Sequence, residues 1–185
     1  MSGGAPLRYP ALFLIGPRAG GKTSLGRALA ERWGWAFEDA DAVLEERHGR
    51  PLAAWLPEDE AGFRRAEAAL LREWLGRERA VLSLGGGVVE DAGSVAALAA
   101  WPAVVALLAP VEVLVRRQEG SGRPPLTALP LEEEVRGILE RRRGLYERAA
   151  SGRFLDTAGP FEEILERLDR LAAPLCGRGP AGAAS

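Results

Sequence analysis

The chain has 185 residues, with 24 Lys plus Arg against 26 Asp plus Glu, a net charge of -2, one cysteine and one histidine. That length fits one domain able to bury its own core, and the lack of a basic excess argues against nucleic acid as the main partner. A lone Cys176 and a lone His48 exclude an intrachain disulfide and a histidine or thiolate metal cluster, argue against a Ser-His-Asp nucleophile, and leave acid-base work to carboxylates. Residues 1–10 carry no signal-peptide-like apolar run, and no segment reaches the ~18 uninterrupted apolar residues of a membrane span, so a reducing cytoplasmic location is expected.

In chain order, the apolar run at residues 11–15 predicts a strand entering Gly16-Pro17-Arg18-Ala19-Gly20-Gly21-Lys22-Thr23, a G-x-x-x-x-G-K-[ST] sequence. Ser24-Leu25, Ala28-Leu29 and Trp33 then recur at helical spacing. Strand, glycine loop and helix are the context of a phosphate-binding loop, whose backbone NH groups and helix amino end cradle anions. Gly16, Ala19, Gly20, Gly21, Lys22, Thr23 and Ser24 are therefore assigned to ATP, with the Thr23 hydroxyl as a Mg²⁺ ligand. Lys22 is the only lysine among the 24 basic residues. A compact, flexible ammonium reaches the β- and γ-phosphates where a planar guanidinium fork is too bulky.

Further apolar runs at 35–37, 80–84, 103–109 and 153–155 predict strands, alternating with helices expected at 41–48, 52–56, 62–75, 94–100, 111–118, 131–150 and 161–172. The alternation predicts βαβ units: a five-stranded parallel sheet with helices on both faces, a three-layer α/β/α fold of the P-loop NTPase type. Residues 1–10 are expected to be a flexible segment and 11–172 a single domain, with 173–185 a disordered tail, because the last stretch is Gly/Ala-rich with little apolar mass. Gly120-Ser121-Gly122-Arg123-Pro124-Pro125 and Pro130 set glycines beside stiff prolines and predict a mobile lid at about 119–130.

Several polar residues stand where packing alone does not ask for them. Asp39 and Asp41 lie two apart at the end of the second strand, so in extended chain they project from the same side. One would organise Mg²⁺ and the other, Asp41, would orient or deprotonate an acceptor hydroxyl, although Asp41 would equally cap the next helix. Glu67 falls on the apolar stripe of its helix with Arg64 one turn before it, a pair able to hold the guanidinium for a carboxylate ligand or to serve as an ordinary helix salt bridge. Arg142 lies on the buried stripe of the long helix, flanked by solvent-side Arg141 and Arg143. Gly85, Gly86 and Gly87 end the third strand and let a substrate approach the backbone, where one or two glycines would suffice for a turn. No aspartate ends that strand, which leaves Asp39 as the second Mg²⁺ candidate with Thr23. Arg123 on the lid would close over the phosphates, and of Arg116 and Arg117, which precede the lid, either would stack on the nucleotide base, with Arg117 chosen, or both would equally be ordinary helix-end arginines.

Taken together, the glycine loop, Phe37-Glu38-Asp39-Ala40-Asp41, Phe63-Arg64-Arg65-Ala66-Glu67, Gly85-Gly86-Gly87, Gly122-Arg123-Pro124 and Arg142-Arg143-Gly144-Leu145-Tyr146 resemble the shikimate kinase family over roughly residues 11–172. The resemblance implies a nucleoside monophosphate kinase-like fold in which Asp41, Arg64, Gly86 and Arg142 contact shikimate, Thr23 and Asp39 organise Mg²⁺, and Arg123 closes over ATP. It further implies γ-phosphate transfer from ATP to the 3-hydroxyl of shikimate, giving shikimate 3-phosphate and ADP on the route to chorismate and the aromatic amino acids. Asp41, Lys22 and Arg123 would be the catalytic set, and a cytoplasmic monomer with small-molecule partners is expected. Two departures stand out: Arg123-Pro124-Pro125-Leu126 replaces the usual R-P-L-L, and Asp59-Glu60 replaces a common Gly-Glu. A kinase for gluconate or a nucleoside monophosphate, and a nucleotide-binding regulator without transfer activity, remain rival readings.

Overall fold

A computed structural model describes residues 9–120 and 127–178. Five strands form one parallel sheet: β1 (Leu12–Ile15), β2 (Ala36–Asp39), β3 (Ala80–Ser83), β4 (Val104–Leu108) and β5 (Phe154–Asp156), in the spatial order β2-β3-β1-β4-β5. Around it run α1 (Lys22–Trp33), α2 (Ala40–His48), α3 (Leu52–Glu58), α4 (Glu60–Trp74), α5 (Ala92–Ala100), α6 (Val111–Glu119), α7 (Leu131–Ala149) and α8 (Phe161–Leu175).

The central strands are apolar on both faces because both faces are covered, as a parallel sheet requires. Successive side chains of β1 go to opposite layers. Phe13 and Ile15 pack with Phe63, Leu71, Trp74, Leu98 and Tyr146 of α4, α5 and α7. Leu12 and Leu14 pack with Leu25, Leu29, Ile164 and Leu168 of α1 and α8. Every residue of β1, β3 and β4 is buried, whereas edge strand β2 is only partly so.

Several boundaries depart from the sequence pattern, among them the starts of α4 and α5 and the end of α3, each extended by two residues. β2 continues two residues beyond the apolar run at 35–37, because Glu38 and Asp39 pair with Leu82 and Ser83 of β3, and ladder pairing does not need apolar side chains. α8 runs through Pro174 to Leu175, and Cys176 is buried, so the packed body passes residue 172 and residues 173–176 are not the disordered tail expected for them. Ala172, Ala173 and Cys176 all join the α1/α8 core, apolar mass that a Gly/Ala-rich composition conceals. At the other end, the Arg79 amide donates to the Tyr9 carbonyl and Pro10 bridges Glu78, which ties residues 9 and 10 to the β3 entry. The 3-10 turn Val88–Glu90 had no counterpart in the periodic pattern. Residues 121–126 of the expected lid, Arg123 among them, lie outside the described residues.

Candidate active site

The carboxyl end of central strand β1 opens directly into the glycine loop. Gly16 has φ 139°, and a methyl group there would collide with the Leu107 carbonyl of β4, so only glycine fits. Ala19 (φ 61°) and Gly21 (φ 91°) also turn left-handed, which bends the loop round before α1. Gly21 caps α1 without a side chain, and the first turn holds no acidic residue. The leading amides of α1 therefore have no competing internal carboxylate, the arrangement that receives a phosphate. Lys22 Nζ donates to the Gly16 and Pro17 carbonyls, both at 2.9 Å, folding the ammonium back along the rim of the loop. Ser24, one residue past Thr23, is exposed.

Thr23 and Asp39 meet across the end of the sheet, with Thr23 Oγ1 donating to Asp39 Oδ2 at 2.7 Å. Asp39, not Asp41, is the N-cap of α2, and its Oδ1 accepts from the Asp41 amide at 3.1 Å. Capping thus falls to the first aspartate. Asp41 stands within the first helical turn rather than on an extended chain, and its side chain is turned toward Gly85, where a Cβ would lie 3.0 Å from Asp41 Oδ1. Thr23 and Asp39 offer two adjacent hard oxygens. Among the described residues no group of three or more His, Cys, Asp or Glu forms a protein-only metal cage. The donor set fits Mg²⁺, which keeps several waters and shares substrate phosphate oxygens rather than occupying such a cage.

The glycines after β3 carry the other half of the site. A methyl at Gly85 would run into Glu67, and one at Gly87 would run into the Arg64 guanidinium. Gly86 lies against the glycine loop, 3.4 Å from the Gly16 carbonyl and 3.6 Å from the Arg18 amide measured from a Cβ position. The three residues are a bare backbone floor between the phosphate loop and the charged side chains of α4 and α7. Tyr146, fully buried, donates to the Gly86 carbonyl at 2.6 Å, and burial pushes its phenol up to about 12, so it remains a donor.

Arg64 Nη1 bonds Glu67 Oε2 at 2.9 Å, the pair marked by helical spacing. Glu67 is 3% exposed and its Oε1 is buried without a hydrogen-bond partner. Burial pushes this carboxyl up to about 7, partly countered by the charge and hydrogen bond of Arg64. Arg64 itself stays charged: burial opposes its charge, but Glu67 and Glu90 outweigh that and raise its pKa. Arg142 is 11% exposed, and its Nε bonds Glu90 Oε1 at 2.9 Å. Glu90 Oε2 also reaches Arg64 Nη2 at 3.3 Å, so Arg64 and Arg142 converge on one carboxylate beside the glycine floor. Arg141 and Arg143 face solvent.

Arg117 reaches the site from α6. Its Nη2 donates to the Thr157 carbonyl at 2.6 Å and its Nη1 to Ala19 of the glycine loop at 3.2 Å, joining the loop to the chain after β5. Glu90 and Thr157 are the contacts that helical and strand periodicity did not single out. Tyr146 had a signal in its place on the α7 apolar stripe, but Glu90 and Thr157 stand outside any periodic segment.

A glycine loop with its lysine and threonine, an aspartate pair and a floor walled by two arginines define a P-loop kinase for a small acceptor. A family model described as shikimate kinase matches residues 18–172. Shikimate kinases of Nitratidesulfovibrio vulgaris (42% identity, 75% of this chain and 82% of that protein) and Streptomyces coelicolor (38%, 85% and 92%) are similar in sequence. Among solved structures, shikimate kinase from Acinetobacter baumannii in complex with shikimate is similar in fold, with TM-score 0.81 and 32% identity over 89% of this chain and 93% of that one. The chain belongs to the shikimate kinase family and is an ATP-dependent kinase.

Proposed function

We propose that this enzyme transfers the γ-phosphoryl group of Mg²⁺-bound ATP to the 3-hydroxyl of shikimate. The observation that carries the reading is the convergence of Asp41, Arg64 and Arg142 around Gly85-Gly86-Gly87, on a floor that abuts the phosphate loop. A small acid with hydroxyls needs that combination: cations for its carboxylate, a carboxylate for its reacting hydroxyl, and a wall without side chains.

In this reading the amides of residues 16–23 and the amino end of α1 hold the triphosphate, while Lys22 turns from the loop carbonyls to the phosphates and balances charge on the transferring group. Thr23 and Asp39 would hold Mg²⁺, which supplies charge neutralisation on the phosphates when bound. Arg64 and Arg142 bind the acceptor carboxylate, and Glu67 braces Arg64 from behind. Asp41 accepts the hydrogen bond of the reacting hydroxyl, orients it in line with the γ-phosphorus and takes its proton as the new O–P bond forms and ADP leaves. Arg117 fastens the loop to the chain after β5 and would offer its guanidinium to the adenine, and Arg123, outside the described residues, would close over the phosphates.

A coupled assay with ATP and Mg²⁺, offering shikimate, gluconate or nucleoside monophosphates, tests the reading. Shikimate alone is expected to be phosphorylated, and turnover of another acceptor in its place would overturn the assignment. Arg142→Ala should raise the shikimate KM by at least about 30-fold, with the ATP KM unmoved, because it truncates a nearly buried cation only the acceptor uses.

A further inference from the structure

Glu90 closes the 3-10 turn after the glycine floor, and the reaction as described gives it no task. Its two oxygens are divided: Oε1 accepts from Arg142 Nε at 2.9 Å and Oε2 faces Arg64 Nη2 at 3.3 Å. The two guanidiniums come from α7 and α4, and this one carboxylate bridges them. Binding Arg142 through Nε fixes the plane of its guanidinium while directing its terminal edge elsewhere. Arg64 is held through its other terminal nitrogen, Nη1, by Glu67 at 2.9 Å, while Nη2, the nitrogen that faces Glu90, also meets Glu60 at 3.3 Å. At 35% exposed, Glu90 lies at the rim of the pocket, and Arg142 at 11% lies inside it. An arginine freed from such a brace would have rotamer entropy to lose on every binding event, and two close guanidiniums without an intervening anion repel.

We propose that Glu90 is a positioning residue of the acceptor pocket: by bridging Arg64 and Arg142 it sets the spacing and tilt at which the two guanidiniums receive the acceptor's carboxylate. The inference rests on the reading that an acid acceptor is held by those arginines. It runs opposite in sign to simple competition, in which Glu90 would occupy the clamp and its removal would tighten acceptor binding. It also separates Glu90 from Glu67, which braces Arg64 alone and from within the core.

The test compares Glu90→Ala and Glu90→Gln with the wild-type enzyme, measuring KM for shikimate, for shikimate methyl ester and for ATP. Glu90→Ala should raise the shikimate KM about 10-fold, with ATP KM unchanged. Glu90→Gln keeps one oxygen for Arg142 and should recover part of that loss, remaining about 3-fold above wild type. The ester has no carboxylate to grasp, so its KM should be the same with and without Glu90, a difference that general loosening of the fold would not produce. Adding Arg142→Ala to Glu90→Ala should cost little beyond Arg142→Ala alone. An unchanged or lowered shikimate KM in both single variants would overturn the proposal, as would equal losses for acid and ester. If Glu90→Ala does not fold, Glu90→Gln decides on the same criteria. Should the wild type phosphorylate gluconate instead of shikimate, the substrate assignment fails but the same variants are read with gluconate and its methyl ester. If it phosphorylates neither acid, both readings fall.

Discussion

The two halves of the cleft are made of different material. The phosphate half is backbone: left-handed turns at Gly16, Ala19 and Gly21, uncapped amides at the head of α1, and one ammonium. The acceptor half is side chain: Asp41 from α2, Arg64 and Glu67 from α4, Glu90 from a 3-10 turn and Arg142 from α7, gathered round three residues that contribute none. Triphosphates present the same anion to every kinase, and oriented peptide dipoles suit that constancy. A particular small acid needs charges set at a particular spacing, which only side chains from separate elements supply, each fixed by its neighbours. The backbone half should therefore fail abruptly under any change of shape, and the side-chain half by degrees, through binding of one substrate.

The sharpest attack on this contrast is Lys22→Arg. Charge is conserved, but the fork does not fit the rim where Nζ meets the Gly16 and Pro17 carbonyls, and kcat should fall about 1,000-fold. A fully active variant, in a steady-state assay at saturating substrates, would mean that the loop needs a charge and not a shape. Gly87→Ala is the corresponding test of the floor. Its methyl displaces the Arg64 guanidinium, and shikimate kcat/KM should drop about 100-fold while ATP affinity, followed by calorimetry, holds. Loss of both affinities together would show that the halves are not separable.

The smallest effect concerns Glu67 and stability. Its carboxyl sits at about 7 in the folded chain against an ordinary 4.5, so the folded state prefers the proton. The contribution is full below about 4.5 and is lost as pH rises through about 7. Glu67→Gln carries no such titration, and relative to wild type the variant should gain on the order of 1 kcal/mol between pH 5 and 8, read from urea midpoints. A pH-independent difference would place the ionised form in the native state throughout, with Arg64 compensating it fully.

How much of this was legible in the sequence follows the same divide. The phosphate loop is contiguous, and its position needed only a strand before it and a helix after it. Arg64, Glu67 and Arg142 could be picked out because a charge on an apolar stripe violates the helical pattern, and the structure brings the first and last to within one carboxylate of each other. Glu90 violated nothing: it sits in a turn too short to have a period, 52 residues from the arginine it binds. Asp39 does end β2, but Asp41 lies inside α2 rather than on the extended chain expected for it, because the boundary between strand and helix was set by pairing with β3. The packed length of α8 was hidden for a related reason, since small residues become core only when a neighbouring helix approaches them.

That the loop's ammonium is the sole ε-amine in the chain also makes it a built-in reporter. Reductive methylation with a ¹³C label would mark this one side chain besides the chain's terminal amine, and the two differ in the pH at which their signals move. Each nucleotide, analogue or inhibitor that engages the phosphates would then announce itself as a shift of a single, pre-assigned resonance.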